Sequence, residues 1–157
     1  MKNRKNLHDY GLVLILLGVL NLFRFLSSVI SMWVDGSVKD ALATVDADIA
    51  VAVRVILAIF GTIMCVLTFA DAFIGFKALK VSANPTAESG YIIAAKIFFV
   101  LTVIGFVSAF GGLFDGNGLI VDKILNVVNL AIDVVAYIFF IKAAHAVRQD
   151  VISGVIE

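Results

Sequence analysis

The residues of this chain that could do chemistry are few, and they recur at helical spacing. Asp122, Asn126, Asn129, Asp133 and Tyr137 interrupt an apolar stretch every three or four positions. On a helix advancing about 100° per residue they fall within an arc of about 80°. Asn21, Arg24, Ser28, Ser31 and Asp35 form a similar stripe in an earlier apolar stretch. A carboxylate, a guanidinium and several amides on two such stripes suit two kinds of chemistry. They can form a charge-assisted pair whose hydrogen bonds the amides complete, setting helix order and register. Where water reaches them, the carboxylate is instead a proton or cation site and the arginine its counter-charge.

Either use requires the groups to meet at one depth. Arg24 precedes Trp33, an interfacial anchor, by nine residues, and Asp133 precedes Lys142 by nine. At 1.5 Å per residue each lies about 13 Å from its own end of the span, so in a hydrocarbon core about 30 Å thick the two are almost level. The spacing predicts an Arg24–Asp133 contact with Asn21, Asn126 and Asn129 around it. Asp71 and Lys96 are secondary candidates. They lie about 9 Å from Lys77 and about 7 Å from Tyr91 along their helices. They are expected to pair with each other, or Lys96 to snorkel to the headgroups. Asp71 and Asp133 differ in depth by several ångströms, which argues against a shared-proton aspartyl pair.

Other chemistry lacks its residues. His8 and His145 have no cysteine or ordered carboxylate set beside them in sequence, and Cys65 is the single cysteine. Asp35, Asp40, Asp46 and Asp48 do not follow the calcium-loop spacing. No phosphate-binding loop, nucleophile elbow or zinc-protease motif occurs. The expectation is a protein that is not an enzyme and carries no cofactor or metal.

The elements that must position the stripes follow from composition. Of 157 residues, 62% belong to the set AVILMFWYC, and the 12 basic and 12 acidic residues sum to a formal charge of zero. Such a chain cannot clothe a water-soluble globule, and it lacks the basic footprint of a nucleic-acid binder. Its charges fall between four apolar runs, about 11–34, 49–76, 91–114 and 119–141, each long enough to cross a bilayer. The first run exceeds the apolar length of a secretory leader and reads as a span. Asn84-Pro85 ends the second run, Asp115-Gly116-Asn117-Gly118 reads as a tight turn, and Ser37-Val38-Lys39-Asp40 resembles a helix start.

Lys2, Arg4, Lys5, Lys77, Lys80, Lys142 and Arg148 all lie on one side of that scheme, which the positive-inside rule makes cytoplasmic. The fold expected is therefore all-α: a single polytopic membrane domain, a four-helix bundle running up-down-up-down with both termini cytoplasmic. Its expected location is a cell membrane, most simply a bacterial plasma membrane. Small residues recur along the second run (Ala58, Gly61, Cys65, Thr68, Ala72, Gly75) and the third (Thr102, Gly105, Ala109, Gly112), as on faces that let membrane helices approach closely. The function expected is a non-catalytic membrane subunit that packs with itself or with another membrane protein. The alternative is a small ion- or proton-conducting channel or carrier, with its polar seam between the first and fourth helices.

Overall fold

The computed structural model describes residues 2–34, 43–44, 46–114 and 119–155. The expected turn at 115–118 and helix start at 37–40 lie outside these residues. Four long helices carry the rest: α1 (Lys2–Val34), α2 (Ala47–Ala83), α3 (Gly90–Gly111) and α4 (Ile120–Ile152), with a single 3-10 turn, Gly112–Phe114, after α3. No strand occurs among the described residues. Three stretches, Lys2–Ser31, Gly90–Phe114 and Ile120–Ile152, are long and apolar enough to cross a membrane.

Local chemistry explains where the helices stop. Asn84 precedes the only proline, whose ring disfavours helical backbone in the residue before it. Asn84 accordingly turns extended (φ −123°, ψ 91°), while its N–H still donates to the Lys80 carbonyl at 2.9 Å. At the end of α4, Gly154 takes φ 69°, and the N–H groups of Gly154 and Val155 donate to the carbonyls of Val151 and Asp150 at 3.1 and 2.9 Å. This is a Schellman closure, which favours a residue without a Cβ at its left-handed position.

The helices run past the expected span ends. α1 begins at Lys2 rather than near Gly11, and α4 continues to Ile152 rather than stopping at Ile141. Each has 33 residues, or about 50 Å, against a hydrocarbon core of about 30 Å. The extensions are helical because they pack: Leu7, Ala144 and Val147 are fully buried.

Three of the helices, α1, α2 and α4, contribute a seam of residues spaced alternately three and four apart. On α1 this is Leu7, Gly11, Leu14, Gly18 and Asn21; on α2 Asp71, Ile74, Ala78 and Val81; on α4 Asp133, Tyr137, Phe140, Ala144 and Val147. Such spacing keeps one face toward a neighbour over several turns. α1 packs along α2 most extensively, α4 lies against both α1 and α3, and α2 makes a smaller contact with α3.

Side-chain contacts set the directions. Arg4 reaches the last carbonyls of α2, and Asn3 reaches Asp150 of α4, so α1 is antiparallel to both. Tyr91 meets Phe140 edge to face at 6.2 Å, and Gly105 lies beside Leu130, so α3 is antiparallel to α4. α1 and α2 come closest at a pair of glycines. A Cβ built on Gly75 would lie 2.5 Å from the Gly11 carbonyl oxygen and 3.1 Å from the Ile15 nitrogen, and a Cβ on Gly11 would lie 3.2 Å from the Gly75 carbonyl oxygen.

Burial is concentrated at the end that holds both chain termini. Beyond Asn21 in α1, before Ile74 in α2, after Ala95 in α3 and before Ala136 in α4, Ala50 is the only buried side chain among those described. Phe23, Phe69, Phe73, Val107 and many other large apolar side chains are left mostly exposed by the chain itself. Apolar surface on this scale needs an apolar solvent.

The Gly75 contact generates the first prediction. Gly75→Ala forces a methyl against backbone atoms that cannot rotate away, and should lower stability in detergent by about 1–3 kcal/mol, the usual cost of overpacking. Gly61→Ala, whose added Cβ meets nothing within 4 Å, should be neutral or stabilising by up to about 1 kcal/mol through helix propensity. Equilibrium unfolding of the two variants measures the difference.

Candidate functional site

The seams bring polar residues of three helices to one level. Asn21 is the seam residue of α1 that follows Gly18, Asp71 is the α2 seam residue beside Ile74, and Asp133 and Tyr137 are successive seam residues of α4. The Asn21 side-chain amide donates to the Asp133 carboxylate at 3.4 Å. The Tyr137 hydroxyl donates to the Asp71 carboxylate. Asn21 and Asp133 are also electrostatic neighbours of Asp71.

The layer thus holds two hydrogen-bonded pairs side by side, Tyr137 with Asp71 and Asn21 with Asp133. Its members are largely shielded by the packed end below them, and no described buried side-chain nitrogen or oxygen lacks a hydrogen-bond partner. That completeness matters, because a half-satisfied buried network destabilises a fold while a satisfied one specifies it.

The structure sorts the residues expected from sequence. Asn21 and Asp133 meet, as the depth argument requires. Arg24 does not join them: it is exposed, and its guanidinium stays outside the 4 Å of an ion pair with Asp133, acting on it only as a longer-range charge. The reason is angular. The α1 seam steps from Asn21 to Phe25, so Arg24 falls on the flank, from which a long side chain extends outward. Asn126 is exposed. Asn129 donates to the Leu125 carbonyl of its own helix at 2.6 Å and does not reach Asp133.

Asp71 is bonded to Tyr137 rather than to Lys96, which is exposed and is an electrostatic neighbour of His145. The offset in depth expected between Asp71 and Asp133 does not separate them, since the two are electrostatic neighbours. Tyr137 sits one turn from Asp133 on α4. The sequence does not announce the Asp71–Tyr137 bond, because Tyr137 reads there only as a member of its own stripe. The three-and-four spacing of the α2 seam, which includes Asp71, was the available signal.

Comparison with protein-family models, with curated proteins and with solved structures gives no match. The chemistry of the layer has therefore to be argued from its own atoms. Among the described residues no group of three or more His, Cys, Asp or Glu side chains could hold a metal ion. The groups present can do two things: hold three helices in register through hydrogen bonds, and hold or pass a proton among two carboxylates, a phenol and an amide.

Truncation separates the members that bear load from those that do not. Tyr137→Phe leaves Asp71 without its donor and should cost about 1–3 kcal/mol, with coupling to Asp71→Asn in a double-mutant cycle. Arg24→Gln, on the exposed flank, should stay within about 0.5 kcal/mol of the parent. A parent-like Tyr137→Phe beside a strongly destabilised Arg24→Gln would contradict this geometry. Thermal or denaturant unfolding of the purified variants is the measurement.

Proposed function

We propose that the protein is a polytopic four-helix bundle of a cell membrane, most simply a bacterial plasma membrane, with both termini cytoplasmic. In this reading α1, α2, α3 and α4 all cross the bilayer. The protein is a non-catalytic subunit that packs against a second copy or another membrane protein. The distribution of Lys and Arg supports the orientation: Lys2, Lys5, Lys80 and Lys142 are exposed at the end that holds the termini.

The observation that carries the packing role is open space beside part of the small-residue faces. Gly75 and Gly105 are met within the chain by Gly11 and Leu130, but Cβ atoms added at Gly61 or Gly112 would meet nothing within 4 Å. Two hydroxyls on or beside these faces are turned inward on their own helices, Thr62 donating to the Ala58 carbonyl and Thr102 to the Phe98 carbonyl, each at 2.8 Å. What is presented is smooth and apolar, the surface on which membrane helices approach each other.

A second reading is favoured by one specific feature, the layer of Asn21, Asp71, Asp133 and Tyr137 with no basic side chain within ion-pair distance. In that reading it is a station for protons or cations within the bilayer.

Reconstitution decides between the two. The subunit reading expects wild-type protein in liposomes to show no proton or monovalent-cation flux above empty vesicles. It also expects Gly61→Leu with Gly112→Leu, both at positions with open space beside them, to abolish self-association or partner capture while leaving the monomer folded. Flux that disappears in a folded Asp133→Asn variant would establish the carrier instead. For topology, a cysteine placed at Ser37 in a Cys65→Ala background should react with impermeant reagent only from the outer face.

A further inference from the structure

One strip of α4 changes character at the polar layer. Helix geometry puts Tyr137, Phe140, Ala144 and Val147 within about 40° of Asp133 around the helix, and puts Asp122, Asn126 and Asn129 in the same arc on the other side of it. The first four fill the core and are buried, whereas Asp122 and Asn126 are exposed and Asn129 is half-buried. Two contacts fix where the arc points. At Asp133 it meets Asn21 of α1, whose amide donates at 3.4 Å, and one turn on Tyr137 donates to Asp71 of α2. Beyond the layer the arc still points between the helices, but the described chain does not close over it.

Packing accounts for the difference between the two sides. α1 and α4 are joined by Asn3 with Asp150, by Tyr10 stacked on Phe139 and by Asn21 with Asp133, the last being the farthest of the three from the termini. Past it α4 keeps α3 beside it, Leu130 lying next to Gly105, while the next turn of α1 brings Arg24, exposed on the flank. On the terminal side Leu14, Ile74 and Phe140, all within about two turns of the layer, are fully buried and form an apolar seal.

The lining decides what occupies the open side. A side-chain amide offers two donors and two acceptor lone pairs, and Asn129 satisfies one donor on its own helix, at the Leu125 carbonyl. Hydrocarbon would leave the rest unmet, together with the amide of Asn126 and the carboxylate of Asp122, whereas water meets them all.

We propose that the space between α1 and α4 beyond the polar layer is a water-filled vestibule, lined by Asp122, Asn126 and Asn129, that brings water and small dissolved cations to the Asp133 carboxylate from the end remote from the termini and from that end alone. The vestibule rests on α4's spanning a bilayer, as read above, and gives the layer one open side whether or not anything passes through it.

The test is cysteine modification of the full chain in sealed, oriented vesicles, with an impermeant cationic methanethiosulfonate added to either face. In a Cys65→Ala background Asn126→Cys and Asn129→Cys should react from the face that labels Ser37→Cys and not from the other. Their rates should exceed by at least about tenfold that of Val128→Cys, at the same depth on the outward side of α4, where hydrocarbon keeps a thiol un-ionised. Asp133→Cys should react from the same face, and Ala144→Cys, on the arc below the layer, from neither. Asn126 and Asn129 lie outside the packed core, so their reactivity decides the matter even if Asp133→Cys fails to fold.

Asn126→Cys and Asn129→Cys no more reactive than Val128→Cys, with Ser37→Cys labelled, overturns the vestibule in favour of lipid or a partner helix in that space. Reaction from the face of the termini, or reaction of a folded Ala144→Cys variant, overturns its one-sidedness. Equally fast reaction of Val128→Cys would place α4 itself in water and overturn the bilayer reading, which separates that failure from failure of the vestibule alone.

Discussion

The close approach of α1 and α2 at Gly11 and Gly75 is the constraint from which the packed end of the molecule follows. In a bilayer an apolar side chain gains little by exchanging lipid for protein, so helices are held by tight contact and by hydrogen bonds. Two glycines facing each other let the backbones come near enough for such contact. With that distance set, Leu7, Leu14, Ile74 and Ala78 close around the crossing and are removed from any solvent. Arg4 then reaches the exposed carbonyls at the end of α2, donating to Ser82 and Ala83 at 2.9 and 2.6 Å, where a cation also complements the helix dipole. α4 docks beside the pair, with Tyr10 stacked on Phe139 at 5.6 Å.

The polar layer marks where this packing ends. On its terminal side the seams are filled by Leu, Ile, Ala and Phe; on its far side the described side chains of all four helices are, apart from Ala50, at least partly exposed. Asn21, Asp71, Asp133 and Tyr137 thus form the last interhelical interactions before the helices present themselves to their surroundings. Hydrogen bonds suit that position, because their directionality sets register where close packing gives out. The same groups set two carboxylates, a phenol and an amide beside one another, so the register of three helices is fixed at one layer.

Much of this was legible in the chain itself. The apolar runs announce the long helices, Asn84-Pro85 announces the end of α2, and the stripes on α1 and α4 announce faces that turn away from lipid. The prediction that Asp133 meets α1 rested on depth alone and holds through Asn21. Charge was the misleading cue: Arg24 is the obvious partner for an aspartate, yet an angular step of one residue on α1 puts it on the flank and leaves an amide in the seam. The helices also extend beyond the spans read from the apolar runs, past Lys77 and Lys142 and back to Lys2. In the structure the seams carry on beyond them through Leu7, Val81 and Val147.

By itself the sequence determined what each helix is: apolar over a length that needs a nonpolar solvent, with one polar stripe, small residues at intervals and stops at proline and glycine. These are properties of neighbouring residues on one chain, expressed through backbone sterics and a period of 3.6, and they need no second helix to be true. Only the tertiary structure decided which side chains meet. The Asp71–Tyr137 bond and the approach of Gly11 to Gly75 depend on the rotation and axial offset of one helix against another. A shift of one residue along a helix turns a side chain by about 100°, so those pairings emerge only when several seams are packed at once.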